Sequence, residues 1–575
     1  MNRGGTRSVR YLTRGLPALA TVRAYRFGWL RGDLVAGVAV AALMIPAGLG
    51  YAEVSGLPPV TGLYATIIPI LVYAVIGPSR ILVLGPDSAL APIIAAAIVP
   101  LAVAGSPRRV ELAGVLAIEV GIILVLAGLF RLGFLTTLLA KPIRIGYLNG
   151  IALVVVLGQV PKLLGFSGDG ASIVEVIVED WKGIVGGEVQ PKAAAIGVVA
   201  LAVILLLKWW RRAIPGVLIA VVGAMIFLAA AAWQHDVPVV GAMPPGLPTP
   251  ELPSRIWHDW VELMVPAAGI ALIAFADTSV LSRTFAARAG YTVNGNQEVG
   301  AVGLANVAAG FFGGFPAIGS SSRTAVAESS GARSQLSSVT GALLVLLALL
   351  LVPGITRYLP SSALAAVVIT AALALVDVSA VIELFRIDRV EGLISVVAFG
   401  GVAVLGVLQG ILVAIGLAVL AFVYSVSRPY RTELGDVPGL RGYHDLASYP
   451  NARRVPATLI LRFDAPLFFA NGAMFDDWVR GEVKAARSAG REIATVVLAC
   501  EPITDIDSSA IDELVELDDY LSKHGIDLVF AEMKDPVRRQ LERYRLKVNG
   551  EPRFGPGHFA PTVGSMVDEI LDEDD

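Results

Sequence analysis

The sequence predicts an α-helical membrane protein of fourteen transmembrane segments, arranged as two halves of seven and followed by a small α/β domain. Three observations lead there. The 575 residues are 55% hydrophobic and only 16% charged, where a soluble chain carries about 25%, and the mean hydropathy is +0.71. Long apolar runs separated by short charged clusters fill residues 33–427, whereas 429–575 have an ordinary soluble composition. Two of the apolar segments are broken by glycine, proline and polar residues, and they stand at matching places in the two halves. The chain therefore divides into an arm (1–32), a membrane domain (33–428) and a soluble domain (429–575, with its core at about 455–572).

The arm holds Arg3, Arg7, Arg10, Arg14, Arg23, Arg26 and Arg31 and no acid. It reads as an uncleaved cytoplasmic segment, because the apolar run from Leu34 is interrupted only by Pro46 and glycines and no A-x-A cleavage site precedes a soluble domain. A spanning helix needs about 20 apolar residues. Candidates are 33–52, 61–77, 87–104, 110–130, 143–163, 193–208, 213–233, 260–282, 297–314, 320–331, 335–353, 360–376, 390–406 and 408–427. Basic residues support this order. With the N-terminus inside, the inner loops carry Lys141 and Arg144, then Lys208, Arg211 and Arg212, then Arg283 and Arg288, then Arg386 and Arg389, and the exit carries Arg428 and Arg431. The acidic 172–190 segment and the proline-rich 238–253 segment fall outside, while Arg108, Arg109 and Arg357 break the pattern. An even count leaves the soluble domain in the cytoplasm. That domain alternates strands at 458–463, 495–500 and 526–531 with helices at 472–488, 508–523, 535–545 and 561–572, the signature of an α/β layer.

The broken segments are the third and the tenth of the fourteen. Asp87 and Ser322 within them lie 235 residues apart, close to the 227 that separate the starts of the first and eighth spans. Paired discontinuous spans point to an inverted-repeat transporter with a site at mid-membrane. In GPDSALAP, Pro86 stops the preceding chain and Asp87 or Ser88 stands where a helix cap belongs. In AIGSSSRTAVAE, Gly319 breaks the chain and Ser320, Ser321 and Ser322 open the next helix. Two helix starts meeting there expose unpaired N–H groups and partial positive charge, a ready place for an anion, and Arg323 adds a planar fork of donors suited to an oxyanion. Ordinary capping is the alternative reading of the serines. Asp277, late in the eighth span beside Thr278 and Ser279, is a proton or sodium coupling group or else a static partner of Arg323. Tyr51 closes the first span, as a site residue or as an interface anchor. One cysteine, Cys500, and five scattered histidines offer no zinc or iron–sulfur ligand set, so no cofactor and no enzyme chemistry is expected.

Four motifs carry a resemblance. IPAGLGYAEVSGLPPVTGLYAT (45–66), GPSRILVLGPDSA (77–89), GLANVAAGFFGGFPAIGSSSRTAVAESSGARSQ (303–335) and DIDSSAIDEL (505–514) follow in order. From about Trp29 onward the chain strongly resembles the SulP anion transporters, the family of sulfate permeases and bicarbonate transporters, and the last motif resembles the signature of their C-terminal STAS domain. The resemblance implies a seven-plus-seven inverted repeat split into a mobile core and a gate, with the anion between the starts of the third and tenth spans. It implies anion contacts from Tyr51, Asp87, Ser88, Ser321, Ser322 and Arg323, cation coupling through Asp277, and a regulatory role for Ser508 or Ser509, which as a helix start also reads as a plain cap. It further implies a homodimer in the plasma membrane, with the STAS domain available to a cytoplasmic partner and no part for nucleic acid. Three departures stand out: Ala47 replaces a common glutamine, Asp277 a commoner glutamate, and Ile318 a residue of the usual A-T-G. The expected function is proton- or sodium-coupled oxyanion transport, sulfate first, by an elevator-like movement. Bicarbonate or C4-dicarboxylate transport, uncoupled exchange, and a membrane-anchored STAS regulator are the competing readings.

Overall fold

A computed structural model describes the chain except residues 1–24, 104, 133–140, 167–172, 211–215, 234, 242, 245, 247–249, 544–546, 549–550 and 574–575. Most of the basic arm, Arg211 and Arg212 therefore lie outside the described residues. The chain forms two compact units, Met1–Ala418 and Val419–Asp575.

Up to Ser427 the apolar runs become helices with nearly the expected limits. They are α1 (Leu30–Val54), α2 (Pro59–Ile76), the short α3 (Ala91–Ile98), α4 (Pro107–Leu129), α5 (Lys141–Leu164), α6 (Ile173–Val185), α7 (Pro191–Trp210), α8 (Gly216–Ala231), α9 (Trp257–Arg288), α10 (Gly295–Phe311), the short α11 (Ser321–Ser329), α12 (Leu336–Leu351), α13 (Ser361–Leu373), α14 (Val378–Ile387), α15 (Arg389–Leu405) and α16 (Val407–Ser427). Seven helices among the described residues are long and apolar enough to cross a membrane, and shorter apolar ones pack among them. Two helices were not expected. α6 stands where an outer loop was predicted, and α14 follows α13 after a cap in which the Asp377 carboxylate accepts the Ala380 N–H at 2.9 Å. Both are amphipathic. Charges such as Glu175, Glu179 and Lys182 interrupt any apolar run in α6, although Ile177, Val178 and Trp181 share its exposed side.

These helices pack in two groups. One comprises α1–α4 and α9–α12, the other α5–α8 and α13–α15, and they touch where α1 meets α13 and α8 and where α3 meets α5. Close backbone approach ties α4 to α10. Gly121 and Gly303 face each other, and a Cβ on either would lie 2.6 Å from the other's carbonyl oxygen. One heptad further along each helix, Gly114 and Gly310 repeat the arrangement, with a Cβ on Gly310 only 2.5 Å from the Gly114 carbonyl. Small residues let membrane helices approach this closely and gain van der Waals contact.

The second unit is a six-stranded sheet of β3 (Arg431–Asp436), β4 (Tyr443–Asp445), β5 (Thr458–Phe463), β6 (Thr495–Ala499), β7 (Asp527–Ala531) and β10 (Phe559–Ala560), in the order β10-β7-β6-β5-β3-β4. A two-residue hairpin, β8 (Lys547–Val548) with β9 (Glu551–Pro552), stands apart from it. β5, β6, β7 and β10 run parallel, whereas β3 pairs antiparallel with β4 and β5. Alternation along β5 fixes the layers. Leu459, Leu461 and Phe463 pack with Phe475 and Val479 of α17 (Gly472–Ser488), Leu514 and Leu517 of α18 (Ser508–Lys523) and Val537 of α19 (Asp535–Arg543). Ile460 faces the other way, toward Val563 and Val567 of α20 (Val563–Glu573). The sheet begins at Arg431, ahead of the expected core at 455–572, because β3 and β4 are short strands that carry no long apolar run.

Candidate functional site

The two broken segments meet. β1 (Leu84–Gly85) pairs antiparallel with β2 (Ile318–Gly319), Leu84 opposite Gly319 and Gly85 opposite Ile318. The Ser320 N–H extends the pairing to the Val83 carbonyl at 2.9 Å. Side chains complete the junction where the strands are too short to satisfy their own backbone. Val83 N–H donates to Thr324 Oγ1 at 3.1 Å, and Gly319 N–H to Thr278 Oγ1 at 3.3 Å. Asn306, fully buried on α10, donates to the Ala317 carbonyl at 2.8 Å and accepts the Ala317 N–H at 2.7 Å, as a neighbouring strand would. Gln335 Nε2 holds the other approach through the Ser79 and Leu82 carbonyls, each at 2.9 Å.

Arg323 is the third residue of α11 and only 3% exposed. Its Nη2 donates to the Pro86 carbonyl at 2.5 Å, reaching across to the opposite broken segment. Nε and Nη1 are buried and find no partner among the described residues. The guanidinium lies against Gly85, where a Cβ would come within 3.2–3.3 Å of Nη1, Cζ and Nη2. Gly85 has φ +147°, which L side chains rarely adopt, so glycine is needed there on both counts. Ser320 occupies the N-cap of α11, but its hydroxyl lies 3.3 Å from that of Ser322 and does not cap the helix. Ser321 and Ser322 are the first two helical residues and are exposed.

The expected residues gather around this junction with two corrections. Tyr51 is buried in α1, beside Ser88, so it is no interface anchor. Ser88 is buried and Asp87 half-buried, but neither caps a helix. α3 begins only at Ala91, and the Asp87 carboxylate instead accepts the Ala89 N–H at 3.1 Å within a tight turn. Pro92 suits this start, since proline is favoured in the first turn of a helix, where its missing N–H leaves no bond unmade. The second correction concerns Asp277, half-buried on α9. Its electrostatic neighbours are Asp87 and Arg144 and its polar neighbour is Tyr147, whereas Arg323 has Asp87 and Tyr51 as its charged and polar neighbours. Asp277 is therefore not the direct partner of Arg323. In the second unit Asp507 is the N-cap of α18, accepting from Ala510 N–H at 2.9 Å, and Ser508 and Ser509 are its exposed first residues.

Several residues of this neighbourhood went unforeseen. Arg144 read as a loop charge and Tyr147 as an apolar-run residue, and only the packing of α5 against α3 brings them to Asp277. Glu298 is a further buried carboxylate: it is fully buried on α10, accepts the Tyr73 hydroxyl, and its Oε2 has no partner among the described residues. Its place beside Gln297 at the start of an apolar run made it resemble an interface charge.

Two short helices that each follow a broken segment, the segments paired to each other and gripped by a buried cation within a helical bundle, define a class, the membrane transporters built on paired discontinuous helices. Within that class the family is specific. The sulfate permease family model matches residues 30–398 and the STAS domain model residues 449–565, and the chain belongs to the sulfate permease family. It is 38% identical over 552 residues to a Mycobacterium tuberculosis protein described as a probable sulfate transporter, covering 96% of this chain and 97% of that one. It is 30% identical to the probable sulfate transporter 3.3 of Arabidopsis thaliana, covering 93% of this chain and 88% of that one. Its fold matches the overall structure of SLC26A9 with a TM-score of 0.88 at 21% identity, over 100% of this chain and 96% of that one. The transmembrane domain of the cyanobacterial bicarbonate transporter BicA aligns over 69% of this chain and 98% of its own length, with a TM-score of 0.58 at 23% identity.

Proposed function

We propose that the chain carries an inorganic oxyanion, sulfate in the first place, across the plasma membrane in company with a proton or sodium ion. The observation that carries this reading is Arg323. It is a buried cation with two donors that find no partner among the described residues, carried in the first turn of α11 and hydrogen-bonded across to the opposite broken segment. Leaving a buried guanidinium partly unpaired is costly, and an oxyanion satisfies both the donors and the charge. The names of relatives at 30% identity and above favour sulfate.

Asp277 serves as the coupling group. A proton or sodium ion on it removes one negative charge from a pocket that an anion must enter, so cation and anion bind with mutual benefit. One helix group moving against the other gives alternating access, in a homodimer with both termini in the cytoplasm. Ser508 and Ser509 present hydroxyls at a helix N-terminus, where a phosphate is electrostatically tolerated and a regulatory partner has access.

The test is uptake of radiolabelled sulfate into liposomes holding the purified protein, under imposed proton or sodium gradients. Bicarbonate, chloride and C4-dicarboxylates serve as competitors. Asp277→Asn is expected to keep anion exchange and lose gradient-driven accumulation. Full gradient dependence in that variant refutes the coupling role, a dicarboxylate outcompeting sulfate changes the substrate, and no flux with any anion supports the regulator reading.

A further inference from the structure

Asp87 has no settled task in this scheme. It follows directly on Pro86, the residue whose carbonyl Arg323 grips. Its own carbonyl accepts the N–H groups of Leu90 and Ala91 at 3.2 and 3.1 Å, and its carboxylate accepts that of Ala89 at 3.1 Å. The main chain is thus closed in a turn, and one hydrogen bond ties the carboxylate to that turn. Asp87 is half-buried, whereas Arg323 is 3% exposed, so the carboxylate is the more accessible of the two charges. Asp87 is also the electrostatic neighbour common to Tyr51, Tyr147, Asp277 and Arg323.

The charges around the cradle therefore balance. Arg323 on α11 and Arg144 on α5 oppose Asp87 in the β1–α3 turn and Asp277 on α9, with Tyr51, Ser88 and Tyr147 neutral among them. A carboxylate that is hydrogen-bonded in its own turn is a poor ligand for an anion, yet its field acts on anything that Arg323 binds. Repulsion between fixed charges scales with the charge of the visitor.

We propose that Asp87 is a charge filter rather than an anion ligand: its fixed negative charge penalises a divalent oxyanion twice as strongly as a monovalent one, and so sets which anion the Arg323 cradle accepts. The inference rests on reading that cradle as the anion site. It gives coupling a physical reason, because a divalent anion enters at a disadvantage that a cation on Asp277 relieves.

The test is equilibrium binding to the purified full chain, with sulfate as the divalent probe and chloride as the monovalent one, at constant ionic strength. Asp87→Asn keeps an acceptor for the Ala89 N–H and removes the charge. It is expected to tighten chloride binding on the order of tenfold and sulfate on the order of a hundredfold, the square of the first factor. Asp87→Glu keeps the wild-type ratio, and Asp87→Ser, which also caps its own turn, replaces Asp87→Asn should the latter fail to insert. Equal gains for the two anions, or no gain, overturn the filter. Arg323→Gln separates this from the parent reading. It is expected to abolish binding of both anions, and unchanged binding there sinks the cradle itself, whereas its loss beside a flat Asp87 response sinks only the filter.

Discussion

Gly85→Ala tests whether the placement of the Arg323 guanidinium, and not its charge alone, makes the site. The added methyl meets Nη1, Cζ and Nη2 at 3.2–3.3 Å, tighter than ordinary contact, and the backbone at φ +147° must also accept a side chain. Holding a non-glycine residue in such a region costs about 1–3 kcal/mol. The chain can relieve that cost only by reshaping the β1–β2 junction or by pushing the guanidinium off the Pro86 carbonyl that it holds at 2.5 Å. Either way Nε and Nη1 turn from their present direction. If the whole cost falls on the bound state, anion affinity drops by a factor of roughly 5 to 150. The assay is sulfate binding and uptake by protein normalised for correctly inserted chain, with Arg323→Lys alongside. Lysine keeps the charge without the planar fork, so both variants should lose affinity while remaining folded. Wild-type affinity in Gly85→Ala would show that the guanidinium has no required position.

Two further outcomes follow from geometry away from that contact. Asn306→Ala strips partners from the Ala317 N–H and carbonyl in a fully buried place, at about 1–3 kcal/mol for each orphaned group. The melting temperature of the membrane unit and its anion affinity should both fall, and an unchanged melt would mean that β2 holds its register without this pin. Cys500, the chain's single cysteine, is fully buried and donates to the Leu498 carbonyl at 3.3 Å, and burial pushes its thiol pKa well up. A raised pKa lowers the thiolate fraction at neutral pH. The native protein should therefore resist maleimide at pH 7.5 and label only after denaturation, and ready labelling of the native chain would contradict the packing around β6.

Helix limits in the apolar region are legible because an apolar run states its own length, and the broken segments because glycine and proline interrupt such runs in plain view. Asp87 resembles a cap in the sequence, but the helix opens later, with Pro92 in its first turn. The pairing of Asp277 with Arg323 was inferred from the rarity of intramembrane charge, which says that partners exist but not which ones. The neighbours of Asp277 come from α5 and from the β1–α3 turn, segments distant in sequence that only tertiary packing brings together. α6 and α14 escaped for the opposite reason, since an amphipathic helix divides its apolar residues among charged ones and leaves no continuous run.

The glycines along α4 and α10 have a mechanical consequence. Where Gly114, Gly121, Gly303 and Gly310 meet, main chain lies directly on main chain, and the β-branched Ile118, Val125 and Val307 pack against the same contact, so the two helices have little room to slide. The two helices behave as a single laminated beam. Asn306 belongs to that seam and grips Ala317 just ahead of β2, so β2 is anchored to a tightly packed helix pair. A seam assembled this way resists deformation, and a single added methyl in it should loosen it.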